Sequence, residues 1–231
     1  MMSTSGLRTW TLDFAEVMDD AIAMTGGEPG DAFLHKYGRR AANRILTDWA
    51  NRSLNLWQMV STTMVLSAGV STYALPDDCL DVTEVQFRDD SSGDNVDLTM
   101  GRLSRSEYAA LSNKETAGRP SSYVVLRELD NARIIVWPTP DTSSAEALYY
   151  WYIQKNQDVT SAAENIGVPD RFLPAFVAGM AYELGKVRPT VDGGKLQYLK
   201  QEYMDLLMRA QNEDRERTPT RIYPDLSGYW R

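Results

Sequence analysis

Apolar residues change their spacing twice along this chain, and that change constrains the fold more than any single motif. Phe14, Val17, Met18, Ala21 and Ile22 recur at the intervals of one helix face, behind an Asp13 that can cap the helix with Glu16 three positions on. Gly26, Gly27 and Pro29 stop that helix. A longer second helix is predicted from Asp31 toward Leu56, with Leu34, Ala41, Ile45 and Trp49 along its buried stripe and Arg39, Arg40, Arg44 and Arg52 elsewhere on its surface. From Trp57 the pattern becomes that of strands. Residues 59–67, 72–75, 82–88, 95–100, 122–129, 132–137 and 147–154 read as β, with turn signals at Ala68-Gly69, Pro76-Asp77 and Asp130-Asn131. Within this block Ser104 and Glu107 have capping-box spacing ahead of a short helix through Leu111. Helical spacing returns after Val168-Pro169. Asp170 is placed to cap a helix carrying Leu173, Phe176, Val177, Met180, Ala181 and Leu184, and Arg188-Pro189 ends it. A last helix after Gly193-Gly194 carries Leu199, Tyr203, Leu206, Leu207 and Ala210 on one face.

The predicted fold class is therefore α+β. Residues 1–56 and 165–217 supply two helix pairs that combine into a four-helix body, and residues 57–164 form an antiparallel β domain inserted into its middle. Residues 218–231 form an extended C-terminal arm. Thr218-Pro219 and Tyr223-Pro224 forbid continuation of the helix, while Ile222, Tyr223, Leu226, Tyr229 and Trp230 are too apolar for a tail without a partner surface.

The chemistry these residues exclude is as informative as the fold. A net charge of −8 over 231 residues argues against a protein that grips nucleic acid by its phosphates, so specific binding of double-stranded DNA is not expected. Much of the imbalance lies in residues 77–97, where Asp77, Asp78, Asp81, Glu84, Asp89, Asp90, Asp94 and Asp97 are offset within the stretch by Arg88 alone. That stretch reads either as a solvated outer loop, the plainer choice, or as an acidic surface that repels phosphate. No apolar run approaches the roughly 20 residues that cross a bilayer, and no membrane partner is expected. The single cysteine, Cys79, reads as a small buried apolar residue in a chain made in a reducing compartment.

The single histidine, His35, sits among Leu34, Lys36 and Tyr37 and reads as a packing or surface residue. There is no phosphate-binding glycine loop, no nucleophile elbow and no cysteine pair, so no catalytic site, metal or cofactor is expected. Glu16, Asp19 and Asp20, or Glu183 with a distant Asp, could pair as glycosidase acids, but the spacing is that of wet helix faces. In the cluster Tyr149, Tyr150, Trp151 and Tyr152, strand alternation sends two rings to each face. One pair then packs in the core, and the other is free to meet a neighbour or to stack on a base or sugar.

Several landmarks occur in an order that resembles the head-to-tail adaptor proteins of short-tailed bacteriophages. They are Leu56-Trp57, Gly69 with Tyr73-Ala74-Leu75-Pro76-Asp77-Asp78 and Leu80-Asp81-Val82, Gly118-Arg119-Pro120-Ser121-Ser122-Tyr123, Val136-Trp137-Pro138-Thr139-Pro140, and Val168-Pro169-Asp170. The resemblance implies a structural virion protein of the head-tail junction, made in the host cytoplasm. It implies a homo-oligomeric ring, dodecameric in such relatives, that caps the portal protein, extends the DNA channel and offers a platform to a downstream tail or nozzle protein. It further implies that the arm carrying Ile222, Tyr223, Leu226, Tyr229 and Trp230 reaches along the portal. The alternatives are another neck or tail-completion protein, a virion-associated peptidoglycan-degrading enzyme, and a carbohydrate-binding β module.

Overall fold

The computed structural model describes residues 13–52, 56–89, 96–128, 131–141, 146–161 and 166–213. The chain divides into two compact units, Met1–Ile45 with Val159–Arg231, and Leu46–Asp158. The mixture of helices and sheets is the α+β class that the spacing predicts.

In the first unit, α1 (Phe14–Met24) opens on the reciprocal cap: the Asp13 carboxylate accepts from Glu16 N (2.8 Å) and the Glu16 carboxylate from Asp13 N (3.1 Å). The five apolar residues on its predicted face are all buried. The same holds on α2 (Ala32–Asn51), whose residues from Leu46 on belong to the second unit: Leu34, Ala41, Ile45 and Trp49 are buried. That helix ends at Asn51, short of the expected Leu56, and Leu56–Gln58 form a separate 3-10 turn.

Two further helices complete this unit, α4 (Leu173–Gly185) and α5 (Gly193–Glu213). Asp170 does not cap α4. It opens a 3-10 turn, Asp170–Phe172, its carboxylate accepting from Arg171 N (2.8 Å), and α4 begins three residues later without a side-chain cap. Pro174 lies in the first turn of α4, where its missing N–H costs nothing. The packing is tight around α4: a Cβ built on Gly179 would lie 2.9 Å from the Tyr203 ring of α5 and 3.3 Å from Ile45 of α2.

The second unit is built from two four-stranded sheets. One has the order β1 (Met59–Val65), β8 (Glu146–Gln154), β3 (Cys79–Asp89), β4 (Val96–Thr99), all antiparallel. The other has the order β2 (Thr72–Ala74), β7 (Arg133–Trp137), β6 (Ser122–Leu126), β5 (Gly101–Arg102). This second sheet departs from the antiparallel expectation at one place, since β5 runs parallel to β6. Residues 103–121, which include the short α3 (Arg105–Ala110), form the crossover that a parallel pair requires. The inward residues of both sheets share one core, with Val85, Phe87, Leu148 and Tyr150 from the first and Tyr123, Val125, Ile134 and Val136 from the second.

Between β1 and β2 the chain turns at Gly69, whose φ of +75° suits a residue without a Cβ. The Tyr73 hydroxyl accepts from Ser67 N (3.0 Å) and donates to Val70 O (2.8 Å), holding that turn against the sheet.

Candidate interaction surface

Alternation along β8 sorts its aromatic run as the period-2 reading requires. Tyr150 and Tyr152 are buried in the core, whereas Trp151 is exposed and Tyr149 half-exposed. On the outer face Tyr149 and Trp151 meet edge to face, with centroids 6.3 Å apart and planes at 81°. Register brings Ser61 and Thr63 of β1 beside them on one flank and Glu84 and Gln86 of β3 on the other.

Arg88 joins the same face. Its guanidinium makes two 2.7 Å hydrogen bonds to the Asp97 carboxylate across β3 and β4 and lies 4.7 Å from the Tyr149 ring centroid. The Arg88 hydrogen bonds hold the Asp97 carboxyl below the usual carboxylate range. With Val65 exposed at the end of β1, the result is a pre-ordered aromatic and apolar face with one oriented cation, the composition that protein interfaces favour.

Burial perturbs the groups behind this face. The Tyr150 phenol is pushed up to about 12 and the Cys79 thiol to about 11, both chiefly by desolvation. Cys79 is buried and free, the apolar role that the sequence suggested.

The acidic stretch is divided among different environments. Asp81 pairs with Arg102 (2.9 Å) and with Arg127, and Arg102 also donates to Val82 O (2.8 Å). Asp78 accepts from the Gln154 amide through one carboxylate oxygen, while its other oxygen is buried without a hydrogen-bond partner. Its backbone carbonyl accepts from Lys155 N (2.7 Å). Asp77 is exposed, and Asp89 ends β3 opposite Val96. Asp90 and Asp94 lie outside the described residues, as do the arm residues Ile222, Tyr223, Leu226, Tyr229 and Trp230. The arginines that meet Asp81 come from 21 and 46 positions away, a pairing that no local charge count reveals.

Three of the helix acids are engaged, and Asp20 is exposed. Glu16 caps α1, Asp19 accepts from Gly30 N (3.0 Å) and lies 3.7 Å from His35, and Glu183 pairs with Arg44 (3.3 Å) and Lys186. Exposed apolar residues unmarked in the sequence reading, Tyr198, Met204 and Met208, also lie on α5. Among the described residues no helix is long and apolar enough to cross a membrane, and no group of three His, Cys, Asp or Glu is placed to hold a metal ion.

No curated protein sequence matches the chain. A family model described as SU10 adaptor protein matches residues 8–223.

Proposed function

Because the chain belongs to the SU10 adaptor protein family, a family of phage head-to-tail adaptors, we propose that it is a structural, non-catalytic component of the head-tail junction that assembles as a ring beneath the portal. In this reading the four long helices α1, α2, α4 and α5 form the body of each copy, and the β unit is inserted into it. The ring, twelve copies by analogy with the adaptors that the sequence resembles, extends the DNA channel and offers tail or nozzle proteins a platform. The match of the family model over residues 8–223 carries this reading, since it spans both helix pairs and the β block between them.

Two surface features support it. The outer face with Tyr149, Trp151 and Arg88 has the rigid aromatic and arginine anchors from which interfaces draw most of their energy. The arm with Ile222, Tyr223, Leu226, Tyr229 and Trp230 is the element proposed to run along the portal. Asp77, Asp78, Asp81, Asp89, Asp90 and Asp94 are proposed to keep DNA mobile by like-charge repulsion if their strands line the channel. Small energies per subunit then sum around a closed ring into a durable joint.

Electron microscopy of the purified protein mixed with the portal from the same genome tests the reading. The expected image is a ring capping the portal. A chain that stays monomeric and ignores the portal would remove the proposal.

A further inference from the structure

The outer faces of the first two helices carry opposite charge. On α1 the exposed residues Glu16, Asp20 and Ala23 share one side with Asp19, and no cation stands among them. On α2 one stripe at helical spacing holds Phe33, Lys36, Tyr37, Arg40 and Arg44, and no acid occurs between Phe33 and Arg44.

The stripe on α2 is built as a contact surface. Phe33 is 49% exposed and meets Tyr37 edge to face, with centroids 5.3 Å apart and planes at 60°. Lys36 Nζ lies 5.9 Å from the Tyr37 centroid. Arg44 reaches Glu183 (3.3 Å), an acid it shares with Lys186, and its side chain stays 60% exposed. Among the described residues no acid pairs with Lys36 or Arg40.

The two faces also share a spacing. Glu16 and Asp20 are four positions apart, as are Arg40 and Arg44, which is about 6 Å along either axis. With α1 of a second copy laid antiparallel on the stripe and Glu16 opposite Arg44, Asp20 falls opposite Arg40 and Ala23 opposite Tyr37. Phe33 then lies past the end of α1, at the Gly26-Gly27 turn. Cations meet acids, and the tyrosine ring meets a methyl group.

We infer that α2 of one copy docks on α1 of the next in this register, so that these two helices link the copies. This rests on the ring reading above. Donor and acceptor are different surfaces of each copy, which makes the contact head-to-tail, the type that closes rings. Symmetric pairing is disfavoured, because α1 on α1 sets acid against acid and α2 on α2 sets cation against cation. Duplex DNA is the other partner that a basic stripe takes. The aromatic pair at one end of the stripe and the net charge of −8 favour the protein partner.

Two full-length chains test the contact, one with Ala23→Cys and one with Lys36→Cys, mixed and treated with a short bis-maleimide. Glu16, Asp20, Arg40 and Arg44 all remain, and Cys79 is buried away from the reagent. The expected product joins the unlike chains, in several-fold excess over products of like chains. Its yield should fall several-fold from about 0.1 M to about 1 M sodium chloride, as the screening length shrinks from about 10 Å to about 3 Å. Arg40→Glu added to the Lys36→Cys chain should abolish the product, and Asp20→Arg added to the Ala23→Cys chain should then restore it. Circular dichroism should be unchanged throughout, since both charged sites are exposed. A mixture without the unlike product overturns the inference, and so does a loss that Asp20→Arg fails to repair. Duplex DNA retained by the protein through Arg40, with no crosslink, would assign the stripe to phosphate instead. The crosslink is read without a portal, so failure of the unsubstituted chain to cap the portal counts against the ring alone. Capping without the crosslink, free or on the portal, counts against this contact alone.

Discussion

Arg88 grips Asp97 through two hydrogen bonds of 2.7 Å across neighbouring strands of one sheet, and this pair leaves a mark in pH. The folded Asp97 carboxyl titrates below its ordinary value, so it binds fewer protons than the unfolded chain through the acid range. The stability it contributes is present above the unfolded pKa, about 4, and is lost as pH falls through the lower folded value. Urea unfolding of Asp97→Asn against the unsubstituted protein should show a gap at pH 6 that narrows steadily below pH 4. A gap that persists unchanged at pH 2 would contradict the pairing.

At the alkaline end the sign reverses. Tyr150 titrates near 12 in the folded protein, above its ordinary 10, so its contribution is complete below pH 10 and fades as pH approaches 12. Tyr150→Phe should therefore shift alkaline unfolding to higher pH. Cys79, raised to about 11, should resist aromatic disulfide reagents at pH 8 in the native state and react at once in urea.

Neighbouring positions on β8 should behave oppositely. Tyr150→Ala empties the shared core and is expected to cost about 3–5 kcal/mol in denaturant unfolding, within the range of large buried aromatics. Trp151→Ala removes an exposed ring and should change stability by only about 0.5 kcal/mol. Its effect should appear instead as weakened ring or tail-protein binding, read by native mass spectrometry. Equal stability losses at both positions would mean that the outer face is not an interaction surface.

Gly179→Ala tests the approach of the helices. Alanine improves intrinsic helix propensity by about 1 kcal/mol, yet its methyl would meet the Tyr203 ring at 2.9 Å and Ile45 at 3.3 Å. Overpacking of this kind costs about 1–3 kcal/mol, so net destabilisation of about 1–2 kcal/mol is expected by chemical denaturation. A stabilised variant would show that the helices part easily.

What the sequence disclosed follows from how far each signal reaches along the chain. The buried faces of α1 and α2 and the inward rings of β8 were legible because a repeating period names its own face. β5 was not, since two residues have no period, and its parallel pairing depends on where α3 returns the chain. Asp170 met the rule for a cap and was displaced by a tighter turn. The ion pairs of Asp81 with Arg102 and Arg127 were not legible, because ion pairing across strands ignores distance in sequence. Of the proposed contact residues, those of the arm lie outside the described residues, while the Tyr149 and Trp151 face was foreseen by alternation.

The pairing of β1 with β8 sets the order in which this protein can mature on the ribosome. Residue 59 must wait for residue 153, and α4, which α1 packs against, does not begin until residue 173. Neither unit can therefore close while the first half of the chain is emerging, and contacts so distant in sequence slow the search for the native pairing. For that interval β3 and β1 are strands without the partner that lies between them, exposed to misassociation with other nascent chains. Synthesis that pauses before residue 146 should yield aggregates, and release just after residue 213 should yield a soluble fold.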